Sequence, residues 1–280
     1  MIISIVSTKG GVGKTTVTAN LSALLASIGK KVLVIDLDPQ PTMTSYYDLA
    51  FEASGGIYEM IVLSELSPEK IISKTSISGL DLVKSNDSQN QLPQLLLNAP
   101  DGRFRLSALL KKIIQNSDYD LILMDTQGAR SILLESAVLA SDHVISPITP
   151  ELLSAREFVR GTCGLLRDLE PITTYTNLTV PPVSVLINRL DDTADAREIA
   201  SQITEMFSDK AQGVSVLDSV LRASISFRNS ATQGLPVHIV EPKRPINRKT
   251  ASGATQVGLL ACELFPDWET DIRSNLFIEG

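Results

Sequence analysis

Ser7-Thr8-Lys9-Gly10-Gly11-Val12-Gly13-Lys14-Thr15-Thr16 stands between an apolar run and an amphipathic one. Before it, Ile2-Ile3-Ser4-Ile5-Val6 is rich in β-branched residues and predicts a buried strand. After it, Val17, Leu21, Leu24, Leu25 and Ile28 share one face of a predicted helix that Gly29 ends. Strand, glycine-rich loop and helix are the setting a phosphate-binding loop requires. Gly10, Gly11 and Gly13 let backbone N–H groups, including those of Val12 and Thr16, turn toward an anion. The helix N-terminus adds partial positive charge. Lys14 is placed to reach the β- and γ-phosphates, and the Thr15 hydroxyl to ligate Mg²⁺.

Ordinary phosphate loops do not need Lys9, and Thr8 stands where the general pattern has its first glycine. On these residues the chain resembles the deviant Walker A ATPases: the ParA/Soj partition proteins, MinD and the nitrogenase iron protein. The residue at position 8 resembles ParA/Soj more than MinD. The resemblance implies that Lys9 reaches across a homodimer interface to the partner's nucleotide.

Lys31 to Asp36 predicts a second buried strand, ending in Asp36-Leu37-Asp38-Pro39-Gln40 at the ligand-facing edge of an open α/β sheet. It resembles the family's Walker A′ motif, which implies that Asp36 helps hold the Mg²⁺ shell and that Asp38 lies near the attacking water. Tyr119 to Asp125 is an apolar strand whose terminal Asp125 fits a Walker B carboxylate on Mg²⁺. The family commonly continues Asp-x-Pro-Pro; here Thr126-Gln127-Gly128 follows, and Gly128 offers a backbone N–H for the γ-phosphate.

Strands are also predicted at 80–83, 142–150 and 183–187, and Val214 to Arg222 resembles the family's last core strand. Helices are predicted near 56–63, 67–73, 103–115, 151–169, 193–207 and 252–264, with 86–100 read as a loop leading into a helix. His143, at a strand start, is expected to pack rather than react. Asn188-Arg189-Leu190-Asp191 has the spacing of the GTPase guanine-reading motif with Arg for Lys; ParA-like ATPases also place Asn there against adenine, and ATP is the expected nucleotide.

The 280 residues are 43% apolar with a net charge of −7, an ordinary globule and not a wholly basic nucleic-acid protein. A local basic face still suffices for DNA. Candidates are Arg222, placed like a basic site beside the last strand of Soj-like proteins, Arg228, and the cluster Lys243, Arg244, Arg248 and Lys249. Cys163 and Cys262 are far apart, without the pattern a metal cluster needs. No apolar run approaches bilayer length, and the strand-first N-terminus predicts a cytoplasmic protein without a signal peptide.

Alternating strands and helices predict one α/β domain over 1–280: a mostly parallel twisted sheet with helices on both faces, the P-loop NTPase fold. The resemblance implies an Mg²⁺- and ATP-dependent ATPase that dimerises on ATP, associates with the nucleoid through non-specific DNA binding, answers to a ParB-type partner and segregates a plasmid, chromosome or integrated mobile element. Two alternatives share the fold. A MinD-like factor would bind membrane through a basic C-terminal helix, whereas this C-terminus carries Asp267, Glu269, Asp271 and Glu279. A metabolic ligase would turn over a small acceptor.

Overall fold

The computed structural model describes residues 1–176, 178–207, 213–246, 248 and 250–276. Its strands are β1 (Ile2–Ile5), β2 (Val32–Asp36), β3 (Leu49–Phe51), β4 (Ser73–Thr75), β5 (Leu80–Val83), β6 (Leu121–Asp125), β7 (His143–Ile148), β8 (Val183–Leu190), β9 (Val214–Val216) and β10 (Leu221–Arg222). They form one sheet in the order β10-β8-β7-β1-β6-β2-β5-β4-β3, with β9 also on β8. Every pairing is parallel except the antiparallel β3–β4 and β4–β5 edge.

Strand alternation assigns each residue to a face. Ile3, Ile5, Val32, Val34, Leu121 and Leu123 point to a core shared with the helices Lys14–Ser27 and Gly253–Leu264. Ile2, Leu33, Ile35, Ile122 and Met124 point the other way, onto Leu106 and Leu110 of the helix Gly102–Asn116 and Leu133 and Ala137 of the helix Ile132–Leu139. Both faces are therefore covered, which is why the central strands read as continuous apolar runs.

The helix Lys14–Ser27 ends as expected. Gly29 adopts φ +88°, and its N–H bonds the Ala26 carbonyl while that of Lys30 bonds Leu25.

Several boundaries differ from the sequence reading. The helix expected over 67–73 is only Pro68–Ile71, because Ser73–Thr75 joins the sheet as β4. The helix from residue 151 runs to Thr173 as three joined pieces, Leu152–Glu157, a π turn at Phe158–Cys163, and Gly164–Thr173. The last strand is split into β9 and β10, both beside β8. His143 packs as expected, its Nε2 lying 2.9 Å from Ser184 Oγ. Cys163 and Cys262 are free thiols.

Candidate nucleotide site

Parallel pairing aligns the strand ends that carry the chemistry. Ile5 is level with Asp125, and Asp125 is level with Asp36. The loop leaving β1 thus runs over two carboxylates, at the carboxyl edge where the chain departs to either side of β1. Around it lies a cavity of about 580 Å³ lined by Gly10, Gly11, Gly13, Lys14, Thr15 and Thr16, with Asp38, Gln127 and Gly128 among the facing residues.

Gly13 caps the helix Lys14–Ser27 in the left-handed region, φ +93°. A Cβ there would stand 2.3 Å from Asn188 Nδ2. That amide donates to the Val12 carbonyl at 2.7 Å, and Asn188 Oδ1 accepts from the Arg189 N–H at 2.9 Å. Asn188 therefore braces the loop from the end of β8. Arg189 is itself left-handed, φ +59°, and lines both the phosphate cavity and an adjoining one of about 650 Å³. The second cavity is bounded by Thr16, Asn188, Arg222, Phe227 and Arg228, and it has the volume for a nucleoside. Asp191, the carboxylate that would read guanine, is exposed and lines neither cavity.

Lys14 is 7% exposed, and burial lowers its pKa against the pull of Asp125 and Asp38. Among the described residues its Nζ donates a hydrogen bond only to the Lys9 carbonyl, at 3.4 Å. Asp125 and Asp36 are both fully buried. Burial, with Asp36 adding repulsion, pushes Asp125 up to about 7; burial likewise raises Asp36 to about 6. Asp125 accepts from Thr15 Oγ1 at 2.7 Å and Thr18 Oγ1 at 3.3 Å. Asp36 accepts from the Thr44 N–H and hydroxyl at 2.8 and 2.7 Å, and from the Asp38 N–H at 3.1 Å.

Two neighbouring buried carboxylates with an adjacent hydroxyl suit a hard divalent cation that takes its remaining ligands from phosphate and water. Thr15 and Asp125 would hold Mg²⁺, while Asp36, whose oxygens already accept three hydrogen bonds, would hold its waters.

The nucleotide-free protein bears a cost for this pair. Each carboxyl has a folded pKa above its unfolded value near 3.9, so the fold loses stability as pH rises through the interval between the two values and regains it toward pH 4. Asp125→Asn is expected to raise the nucleotide-free melting temperature at pH 8, by less at pH 5, and to abolish stabilisation by Mg-nucleotide. A lower melting temperature at pH 8 would make Asp125 a structural acceptor first.

Lys9 does not line the phosphate cavity. Its Nζ lies 3.1 Å from Glu151 Oε2, beyond the end of β7. Sequence reasoning missed Glu151, and also Thr44, which binds Asp36 and accepts from the Ser85 N–H at 2.9 Å. Neither belongs to a local motif; both act through contacts distant in sequence.

Arg222 and Arg228 sit together on the second cavity. Arg222 is 3.9 Å from Asp192, while Lys243 and Arg244 are exposed. Arg248 pairs with Glu241 at 2.6 Å, so its charge is already balanced. Lys249 lies outside the described residues.

The fold and this loop define a P-loop nucleoside triphosphatase. Residues 1–180 match the family model described as the AAA domain. The chain is similar to the chromosome-partitioning ATPase Soj of Thermus thermophilus, 30% identical over 209 residues that cover 74% of this chain and 77% of that one. It is 28% identical over 244 residues to the sporulation initiation inhibitor protein Soj of Bacillus subtilis, covering 86% and 92%. Among solved structures, apo McdA of Cyanothece superposes with a TM-score of 0.73 at 20% identity, over 98% of this chain and 97% of that one. The chain belongs to the ParA/Soj family of P-loop ATPases.

Proposed function

We propose that this chain is an Mg²⁺- and ATP-dependent switch that pairs as a homodimer around two nucleotides, binds DNA without sequence preference in that state, and works with a ParB-type partner in moving a plasmid, chromosome or integrated mobile element. The observation that carries the reading is the division of labour between two lysines. Lys14 is buried in the phosphate cavity, whereas the Lys9 side chain is not part of that cavity's lining and pairs with Glu151. A second cation so placed suits a phosphate on a second copy.

Mg²⁺, when bound, supplies charge neutralisation at the phosphate oxygens. Lys14 and the amides of Gly10 to Thr16 bind the β- and γ-phosphates. Thr15 and Asp125 would hold the ion and Asp36 would hold its waters. Asp38, on the cavity wall, orients the attacking water. The cavity at Asn188, Arg189 and Phe227 takes adenine, since Asp191, the carboxylate that would accept from the guanine N1–H and amino group, stays outside its lining.

Lys9→Ala is expected to bind ATP within about threefold of wild type yet to lose turnover by roughly a hundredfold. Calorimetry and phosphate release measure the two; wild-type turnover would remove the trans role.

For DNA, Arg222, Arg228, Lys243 and Arg244 offer cations that are unpaired or weakly paired among the described residues, whereas Arg248 is taken up by Glu241. Pairing two such faces raises avidity through effective concentration. Replacing Arg222 and Arg228 together is expected to flatten the salt slope for a random duplex by about two to four units per dimer. Both line the adjoining cavity, so ATP affinity is measured alongside; lost ATP binding with an unchanged salt slope would assign them to the nucleotide.

No helix among the described residues is long and apolar enough to cross a membrane. The helix Glu269–Leu276 begins with Glu269 and Asp271 and buries Ile272 in the core, so it presents no basic apolar face to anionic lipid. This supports the DNA reading over a MinD-like one.

A further inference from the structure

We propose that Gln127, in the segment where this chain departs from the Asp-x-Pro-Pro pattern, positions the attacking water. The inference rests on the ATPase reading of the site.

Gln127 lines the phosphate cavity together with Lys14, Thr15 and Asp38. Its half-buried carboxamide makes no hydrogen bond with any described residue. The backbone carrying it is fixed on both sides. Upstream, the Thr126 hydroxyl donates to the Ile5 carbonyl at 2.7 Å and is buried, tying the segment to the end of β1. Downstream, Gly128 packs onto the phosphate loop itself. A Cβ there would stand 2.8 Å from Gly10 Cα and 2.9 Å from Gly10 N, so no other residue fits without moving one loop or the other.

Two residues further on, Arg130 pairs with Asp168 at 2.6 Å and with Glu135 at 3.2 Å, and Glu135 also holds Arg103 at 2.8 Å. The Glu135 side chain is only 10% exposed, which makes this network stiffer than isolated surface pairs. The contacts of Thr126, Gly128 and Arg130 fix the backbone, so the unpartnered carboxamide is carried at a set place on the cavity wall and remains available to whatever enters.

The residue type fits the task. A carboxamide is neutral, so it approaches a γ-phosphate without the repulsion a second carboxylate would bring. It also donates and accepts at once: the amide N–H can bond a γ-phosphate oxygen while its carbonyl accepts from the water. Proline, in the common pattern, has neither group on its side chain. In the step, the water oxygen bonds to the γ-phosphorus as the bond from that phosphorus to the β,γ-bridging oxygen breaks. The bridging electron pair leaves on ADP, and the water's proton passes by way of Asp38 to the released phosphate. Gln127 takes no proton; it holds the water in line, which is the main demand of phosphoryl transfer.

The test uses Gln127→Met, which keeps length and volume but removes both hydrogen-bonding groups, and Gln127→Ala as a second variant. Both are expected to lower kcat by roughly 10- to 100-fold, with the ATP Kd from calorimetry within about twofold of wild type. Wild-type protein is expected to bind ADP with aluminium fluoride more tightly than ADP alone, and both variants to lose that gain while keeping ADP affinity. A merely structural loop residue would instead shift nucleotide affinity and thermal stability together. Wild-type kcat in Gln127→Met, or a change in KM alone, overturns the assignment. Absence of ATP turnover in the wild-type protein itself would overturn the ATPase reading and this inference with it.

Discussion

Lys14→Ala is expected to leave a folded protein without measurable affinity for ATP. The ammonium is buried in the cavity, and burial lowers its pKa, so the nucleotide-free fold holds that charge at a cost. Its hydrogen bond to the Lys9 carbonyl, at 3.4 Å, is long and returns little. Alanine at the first helical position is also a good helix former. The melting temperature without nucleotide is therefore expected to stay level or rise. Phosphate binding collapses, because the charge-assisted bonds from a largely buried ammonium to the β- and γ-oxygens are lost. Calorimetry should show at least about a hundredfold weaker binding, which is about 2.7 kcal/mol. An ATP Kd within a few-fold of wild type would contradict the placement of the phosphates on this loop.

Gly13→Ala is expected to cost both the site and the fold. The backbone there is left-handed at φ +93°, a conformation that penalises a Cβ by about 1–2 kcal/mol. The new methyl would also meet Asn188 Nδ2 at 2.3 Å and drive the amide off the Val12 carbonyl. Val12 is 1% exposed, and an unsatisfied buried acceptor adds roughly 1–3 kcal/mol. A fall of several degrees in melting temperature and loss of ATP binding are the expected readings. Asn188→Ala in the same chain makes room for the methyl, so the double variant should lose less stability than the two single effects summed. Strict additivity would mean that the two residues do not press on each other.

The residues legible from sequence are those whose chemistry and position are fixed locally. The phosphate loop, Asp36 and Asp125 each end or follow an apolar strand, so strand prediction alone brought them to the same sheet edge. Register then made Asp36 and Asp125 neighbours. Where packing between distant segments decides the outcome, the sequence pattern was silent. Strands β3 and β4 are three residues each, too short to show alternation.

The π turn at Phe158–Cys163 is a register slip in an otherwise helical stretch, set where Gly161 lies so close to Thr8 that a Cβ would stand 1.8 Å from its hydroxyl. Glu151 meets Lys9 from 142 positions away. Arg248 looked like part of a cationic run until folding set Glu241 against it, which shows why charge density along a chain is a weak guide to charge on a surface.

Light scattering measures nucleotide-gated pairing most directly. The Asp38→Ala protein, in which turnover is expected to stall, is examined with Mg²⁺ and either ATP or ADP at one protein concentration. The predicted result is a doubled mass with ATP, a single-chain mass with ADP, and a single-chain mass with ATP once Lys9→Ala is added. A mass that ignores the nucleotide, or a doubled mass that survives loss of Lys9, would contradict it.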